Sequence, residues 1–155
     1  MKIGNAGLGL IKKWEGFKSK PYLDGGHVAT IGYGSTYYMD GKRVTLNDKP
    51  LSELEAYKLM VSVLDRDFVP KIDKMIVVQV GQNMFDAMCS LAYNIGSVAF
   101  GKSTLLKKVN SLDFEGAAME FEKWCKDNGK VVQGLLNRRR EEKALFEKDI
   151  KRGSN

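Results

Sequence analysis

Two carboxylates and one hydroxyl follow one another closely near the start of the chain. Asp24 comes nine residues after Glu15, and Thr30 comes six residues after Asp24. Glycosidic hydrolysis uses a shielded carboxylic acid to protonate the leaving oxygen, and a second carboxylate to stabilise positive charge or direct water. The Thr30 hydroxyl is suited to holding that water. From spacing alone, a helix-end glutamate and a turn aspartate without a catalytic role remain the simpler interpretation.

A short amphipathic helix is expected to position Glu15. Asn5 is the expected N-cap, Leu8 and Ile11 follow at helical spacing, and Gly16 is the expected stop. Glu15 then lies in the last turn, beside the apolar stripe. Apolar neighbours and the negative end of the helix dipole both favour the neutral, proton-carrying form of its carboxyl group.

A turn-and-strand segment is expected to position Asp24 and Thr30. Asp24-Gly25-Gly26-His27 is a turn signal, residues 28–33 alternate as a strand does, and residues 43–45 follow a second turn. We predict a small, irregular sheet of two or three strands, which is too small to be stable alone. A single histidine in a turn, His27, is expected to be exposed.

The rest of the chain is predicted to be mostly helical. Ser52 opens a helix with a capping box, and Pro70 marks a break. Residues 80–95 are apolar almost all round, which predicts a helix at the centre of a core. We expect the last helix to begin at Asn137 and the chain to end irregularly at 153–155.

Composition limits the class of protein. The chain has 155 residues, 43% hydrophobic and 28% charged, which is typical of one soluble globular domain. A net charge of +6 favours an anionic partner such as nucleic acid, an anionic lipid surface or an acidic cell-wall polymer. Lys12 and Lys13 interrupt the first apolar run, so we expect no signal peptide or membrane span, and synthesis in the cytoplasm.

The cysteines and the single histidine argue against a metal site. Cys89 and Cys125 lie in apolar helical patterns, which favours two reduced core thiols over a disulfide. One histidine without a cysteine cluster is a poor zinc site. We expect neither a metal nor another cofactor.

The motifs around the carboxylates resemble those of the phage-type lysozymes (endolysins). The matching segments cover most of the chain in the expected order: Trp14-Glu15-Gly16-Phe17, Tyr22-x-Asp24, Thr30-Ile31-Gly32-Tyr33-Gly34, Tyr93-Asn94-Ile95-Gly96, Ser103-Thr104-Leu105, Phe121-x-x-Trp124, and Gly134-Leu135-x-Asn137-Arg138-Arg139 with Glu142. The resemblance implies that Glu15 is the general acid, Asp24 the stabilising carboxylate and Thr30 a water-positioning partner.

The same resemblance implies a fold and an activity. The fold would be α+β and lysozyme-like, a single domain over residues 1–155. A small β lobe at about 16–50 would pack on a helical body, 1–15 and 51–155, with the active-site cleft between them. The implied reaction is hydrolysis of the β-1,4 bond between N-acetylmuramic acid and N-acetylglucosamine in peptidoglycan, for host cell lysis. The enzyme would be a monomer acting in the periplasm after a separate holin permeabilises the membrane.

Four further residues are expected to bind substrate. Tyr33 and Tyr93 offer aromatic faces to a sugar and Asn94 an amide to an N-acetyl group, although core packing explains the tyrosines equally well. Arg138 matches an arginine close to the catalytic acid in the family, where it would favour the charged form of Glu15.

The chain departs from the family at two places. Ser35 stands where the family often has histidine. Residues 128–130, which we expect to form a loop, replace a more glycine-rich run.

Three other functions compete with this interpretation. A nucleic-acid-binding module would use the run Arg138 to Arg140, but Glu141 and Glu142 interrupt the basic stripe, and Arg138 and Glu142 are spaced as a helical ion pair. A glycan-binding protein without activity would not need the intact carboxylate pair. A lytic transglycosylase would release an anhydro sugar instead of a hydrolysed one.

Overall fold

The computed structural model describes residues 1–153, with side chains through Ile150, and has eight α-helices in that range. The helices are α1 (Asn5–Glu15), α2 (Glu53–Val63), α3 (Val69–Met75), α4 (Gln82–Ile95), α5 (Ser97–Gly101), α6 (Thr104–Asn110), α7 (Phe114–Glu120) and α8 (Gln133–Gly153). The expected irregular chain end lies, from residue 154 onward, outside the described residues.

Two small antiparallel strand pairs accompany the helices, which confirms the predicted α+β class. They are β1 (Lys18–Leu23) with β2 (Ala29–Gly32), and β3 (Lys126–Asp127) with β4 (Lys130–Val131). A π-helical turn at Leu64–Phe68 follows α2, and a 3-10 turn at Phe121–Lys123 follows α7.

The chain forms two compact units. The small unit is Ile11–Asp67, and the large unit combines Met1–Leu10 with the chain from Phe68 onward. Helix α1 therefore contributes its first half to the large unit and its last turn, with Glu15, to the small one.

In the small unit, β1 and β2 form a hairpin with an irregular start. Tyr22 lies opposite Thr30, and the register shifts between Lys18 and Tyr22. The possible third strand forms only an isolated bridge between Tyr37 and Arg43. The predicted irregular sheet is thus confirmed with two strands.

The capping box and the helix break are also confirmed. The Ser52 N–H donates to Glu55 Oε1 at 2.9 Å, and the Glu55 N–H donates to Ser52 Oγ at 3.1 Å. Helix α2 passes into the π-helical turn, and Pro70 lies in the first turn of α3, where its missing N–H costs nothing.

Helix α4 is the centre of the large unit, as its apolar composition predicted. Nine consecutive residues, from Met84 to Ala92, are buried, and α8 packs against this helix. The rings of Phe121 and Phe146 meet edge to face at 5.4 Å between centroids. Cys89 and Cys125 are buried free thiols, and burial raises the pKa of Cys89 well above its usual range.

The prediction that Asn5 caps α1 is wrong. Asn5 is the first helical residue, and two of the N–H groups at the start of the helix are satisfied by the carboxylate of Asp86, in α4. Asp86 accepts from the Gly4 N–H at 2.9 Å and from the Gly7 N–H at 3.0 Å. A Cβ on Gly7 would lie only 2.9 Å from the Asp86 Cβ, so glycine permits this close approach.

The loop predicted at residues 128–130 is a tight turn. Asn128 and Gly129, with φ of 51° and 77°, connect β3 to β4, and Lys130 is the first residue of β4. The predicted start of the last helix is wrong, because α8 begins at Gln133, four residues before Asn137. Within the residues that the structure describes, no helix is both long and apolar enough to cross a membrane.

Three tyrosines of the small unit share one arrangement, in which a shielded phenol donates to a carboxylate. The pairs are Tyr33 with Glu53 at 2.7 Å, Tyr37 with Asp67 at 2.8 Å and Tyr38 with Asp48 at 2.8 Å. Burial, reinforced by the hydrogen-bonded carboxylate, raises the pKa of each phenol from 10.0 to about 12.

These phenols make the small unit sensitive to alkali. Their pKa is higher in the folded than in the unfolded chain, so the folded state keeps protons that the unfolded state loses between about pH 10 and 12. Each phenol should lower the free energy of unfolding by up to about 1.4 kcal/mol per pH unit in that window. Urea unfolding at several alkaline pH values measures this slope.

The matched control is Tyr33→Phe, which removes one titrating phenol. The free energy of unfolding should then fall less steeply with pH, by about the contribution of one phenol. A free energy of unfolding that stays constant to about pH 11 would contradict the assignment.

Candidate active site

The turn between β1 and β2 is held by the carboxylate of Asp24. Its Oδ1 accepts the Gly26 N–H and the Val28 N–H, each at 2.9 Å. The backbone N–H of Asp24 donates in turn to the Val28 carbonyl at 3.0 Å. One oxygen of the half-buried Asp24 carboxylate, Oδ1, therefore makes both contacts with the turn, and the other oxygen makes neither.

Thr30 is tied to the same turn. Its side chain is 3% exposed, and Oγ1 donates to the Val28 carbonyl at 2.9 Å. Because its own proton is used in that bond, Oγ1 presents lone pairs, which can accept a hydrogen bond from water.

Val28 therefore connects Asp24 with Thr30, because its N–H donates to the Asp24 carboxylate and its carbonyl accepts from both the Asp24 N–H and the Thr30 hydroxyl. His27, between them in the sequence, is exposed with φ of 61°, as expected for a turn residue.

Glu15 ends α1 and lies half-buried against Gly34. Gly16 has φ of 69°, and its N–H donates to the Lys12 carbonyl at 3.1 Å, which confirms the predicted helix stop. A Cβ on Gly34 would collide with the Glu15 carboxylate, whose Cδ would be 2.9 Å away. Gly34 also has φ of 80°, a conformation that favours glycine.

Gly34 was present in the sequence motif but was not predicted as a site residue. The alternation of glycines around Tyr33 was the available signal, because it indicates positions with positive φ or close contacts.

Tyr22 lies near both carboxylates. It is half-buried and opposite Thr30 across the hairpin, so these two side chains start from one face of the sheet, and Asp24 follows two residues later at the start of the turn. Burial raises the pKa of the Tyr22 phenol, and the charges of Glu15 and Asp24 raise it further. The phenol is therefore within electrostatic range of both acids.

The predicted sugar-binding residues have different surroundings. Tyr33 is 2% exposed, contacts the Phe17 ring at 5.7 Å and donates to Glu53, which favours core packing over sugar contact. Tyr93, in the large unit, is half-buried with its ring 5.3 Å from Phe68. Asn94 is exposed, and its Oδ1 accepts from Arg139 at 2.9 Å.

Arg138 belongs to a buried ionic cluster in the large unit. Arg138 Nε donates to Glu142 Oε2 at 3.2 Å, so the predicted helical ion pair is confirmed. Arg139 Nε lies 2.7 Å from Glu142 Oε1, and Ser90 donates to Glu142 in a very short hydrogen bond. Arg138 is 4% exposed, and Arg139 and Glu142 are fully buried.

This cluster removes the basis for the nucleic-acid-binding alternative. Two of the three consecutive arginines point into the large unit, and the exposed Arg140 pairs with Glu122 at 3.3 Å. A phosphate-binding stripe needs adjacent exposed cations, and this run does not provide one.

The geometry of the small unit suits acid-assisted attack by water. One carboxyl group ends a helix, a second is anchored in a turn, and a buried hydroxyl with free lone pairs lies beside the second. These are the groups that hydrolysis of a glycosidic bond requires. The helices and the small sheet with this acid cluster define a lysozyme-like protein.

Comparison with known proteins identifies the family. The phage lysozyme family model matches residues 12–142. The chain is 41% identical over 151 residues to the endolysin of Acyrthosiphon pisum secondary endosymbiont phage 1, covering 95% of this chain and 99% of that protein. It is 42% identical over 148 residues to the endolysin of Bacillus phage B103, covering 94% of this chain but only 54% of that relative.

Solved structures agree with the sequence comparison. An endolysin from Escherichia coli O157:H7 phage FAHEc1 superposes with a TM-score of 0.85 at 34% identity, covering 94% of this chain and 93% of that one. The muramidase domain of SpmX from Asticaccaulis excentricus superposes with a TM-score of 0.80 at 31% identity, covering 94% and 97%. The chain belongs to the phage lysozyme family, which confirms the predicted fold and class, a lysozyme-type glycoside hydrolase.

The contact between Gly34 and Glu15 is testable. We expect Gly34→Ala to displace the Glu15 carboxylate and to lower the rate of sacculus clearing by about a hundredfold, the usual cost of moving a reacting group by about 1 Å. The measurement is turbidity loss of purified sacculi at equal concentrations of folded protein.

Gly41→Ala is the matched control. Gly41 has φ of 87°, so alanine is strained there as well, but a Cβ at this position meets nothing within 4 Å. It should lose stability and keep its activity. Equal losses of activity in the two variants would show that backbone strain, and not contact with Glu15, is responsible.

Proposed function

We propose that this protein is an endolysin that hydrolyses the β-1,4 bond between N-acetylmuramic acid and N-acetylglucosamine in peptidoglycan. The observation that carries the proposal is the shared anchor of Asp24 and Thr30 on Val28, with the Glu15 carboxyl against Gly34 in the same unit. Membership of the phage lysozyme family supports this substrate class.

Glu15 is the proposed general acid. Its protonated carboxyl group gives a proton to the glycosidic oxygen as the bond to the anomeric carbon breaks, and the positive charge that develops on the sugar is stabilised by the Asp24 carboxylate. The half-burial of Glu15 shields the carboxyl group that carries this proton.

Asp24 and Thr30 are the proposed water site. A water molecule that donates one hydrogen bond to Asp24 and one to Thr30 Oγ1 keeps a lone pair for the anomeric carbon. Attack on the face opposite the leaving group would invert the anomeric configuration, as the resemblance to phage-type lysozymes favours.

The cellular role follows from this chemistry. A net charge of +6 suits an anionic cell wall. We propose that the protein acts as a monomer on glycan strands for host cell lysis and reaches them through a membrane lesion made by a holin, without inserting stably into the membrane itself. In the large unit, Tyr93 and Asn94 are the proposed substrate-side residues, whereas Arg138 is buried and paired with Glu142.

Glu15→Gln tests the proposed acid. Glutamine keeps the size of the side chain but cannot give a proton, so clearing of sacculi should slow by at least about a hundredfold. Glu115→Gln, a change at an exposed glutamate of α7, is the control and should clear at the wild-type rate. Clearing by Glu15→Gln as fast as by wild type would disprove the mechanism, and anhydro sugars among the products would indicate a transglycosylase.

Thr30→Val and Thr30→Ser test the water site. Valine keeps the buried shape but loses the hydroxyl, so we expect a loss of about tenfold to a hundredfold in kcat, whereas serine should retain most activity. Losing the bond to Val28 should cost about 1 kcal/mol of stability, measured by urea unfolding. If both variants lose activity equally, side-chain packing and not the hydroxyl matters at this position.

A further inference from the structure

The side chains of Glu15, Asp24 and Thr30 have almost no hydrogen-bond donor left to offer a substrate. Thr30 gives its proton to the Val28 carbonyl, and an ionised Asp24 is an acceptor only. Under the proposed function, the one proton of Glu15 goes to the leaving oxygen. Sugars present many acceptor oxygens, so a site built from these three residues alone would lack a donor to orient the substrate.

Tyr22 supplies a donor in the right place. It lies opposite Thr30 in the hairpin register, so these two side chains start from the same face of the sheet, and Asp24 follows Tyr22 by two residues, where the turn begins. In an antiparallel pair, Cβ atoms of opposed residues are about 5 Å apart, and a tyrosine side chain reaches beyond its partner. Its ring is half-buried, so packing limits its movement.

The Tyr22 hydroxyl also differs from the other phenols of the small unit. Tyr33, Tyr37 and Tyr38 each donate to a carboxylate, whereas within the described part of the chain the Tyr22 hydroxyl donates to no protein group. Burial raises the pKa of the Tyr22 phenol, and the charges of Glu15 and Asp24 raise it further, so the protonated, donating form is favoured.

We propose that Tyr22 is a substrate-binding residue whose hydroxyl donates a hydrogen bond to an oxygen of the amino sugar beside the scissile bond. This role rests on the proposed function, because it requires a glycan above the Glu15, Asp24 and Thr30 cluster. The phenol orients the sugar and takes no part in proton transfer. Its contribution is therefore to binding, made equally before and during the reaction.

Tyr22→Phe is the test, because it removes the hydroxyl and keeps the ring. With soluble, peptide-free glycan strands as substrate, we expect KM to rise about fivefold, which one neutral hydrogen bond is worth, and kcat to change less than about twofold. In a Glu15→Gln background, which removes turnover, adding Tyr22→Phe should weaken binding of the same strands about fivefold by calorimetry.

Tyr57→Phe is the matched control. Tyr57 is another half-buried tyrosine of the small unit, and its ring contacts Lys12 at 5.5 Å. We expect it to leave KM unchanged, and both variants should unfold at the wild-type temperature.

Three results separate the proposals. If Glu15→Gln abolishes clearing but Tyr22→Phe binds and turns over the strands as wild type does, the role of Tyr22 is wrong and the proposed function stands. If Tyr22→Phe lowers kcat with KM unchanged, Tyr22 does not act through binding, and this inference is again wrong. If Glu15→Gln clears normally, the proposed function itself fails.

Discussion

The paired hydrogen bonds of Asp24 in the hairpin turn determine the rest of the candidate site. By accepting the Gly26 and Val28 N–H groups, its carboxylate closes the turn that sets the register of β1 on β2. Side chains alternate between the faces of a strand, so a shift of one residue would move Thr30 to the opposite face. A residue with a proposed chemical role thus also stabilises the turn that positions its partner.

The large unit contains buried charged side chains. Inside the unit, Glu142 forms ion pairs with Arg138 and Arg139 and accepts a hydrogen bond from Ser90. An unpaired charge there would be strongly unfavourable. The cost of burying these ions is offset because Glu142 Oε2 accepts hydrogen bonds from both arginines and from Ser90. Asn94 extends this network to the surface by accepting from Arg139.

Local signals in the sequence predicted much of this architecture. The capping box at Ser52, the stop at Gly16 and the break at Pro70 depend on residues a few positions apart, and all three are present. The failures divide into two kinds. The loop at Asn128-Gly129 was predicted, but the two short strands that flank it were not, although Asn-Gly is a local signal for a hairpin. The cap of α1 was not local, because its acceptor, Asp86, lies far along the chain.

The sequence by itself determined the family, the order of the elements and the acid, carboxylate and hydroxyl with a proposed catalytic role, because spacing and residue type are local properties of the chain. Only the tertiary structure decided which polar groups remain available to bind a substrate. Burial places Arg138 and Arg139 inside the large unit and Tyr33 in a core, while the hairpin register aligns Tyr22 with Thr30. Those outcomes depend on contacts between distant segments, whose hydrogen bonds and packing no local pattern encodes.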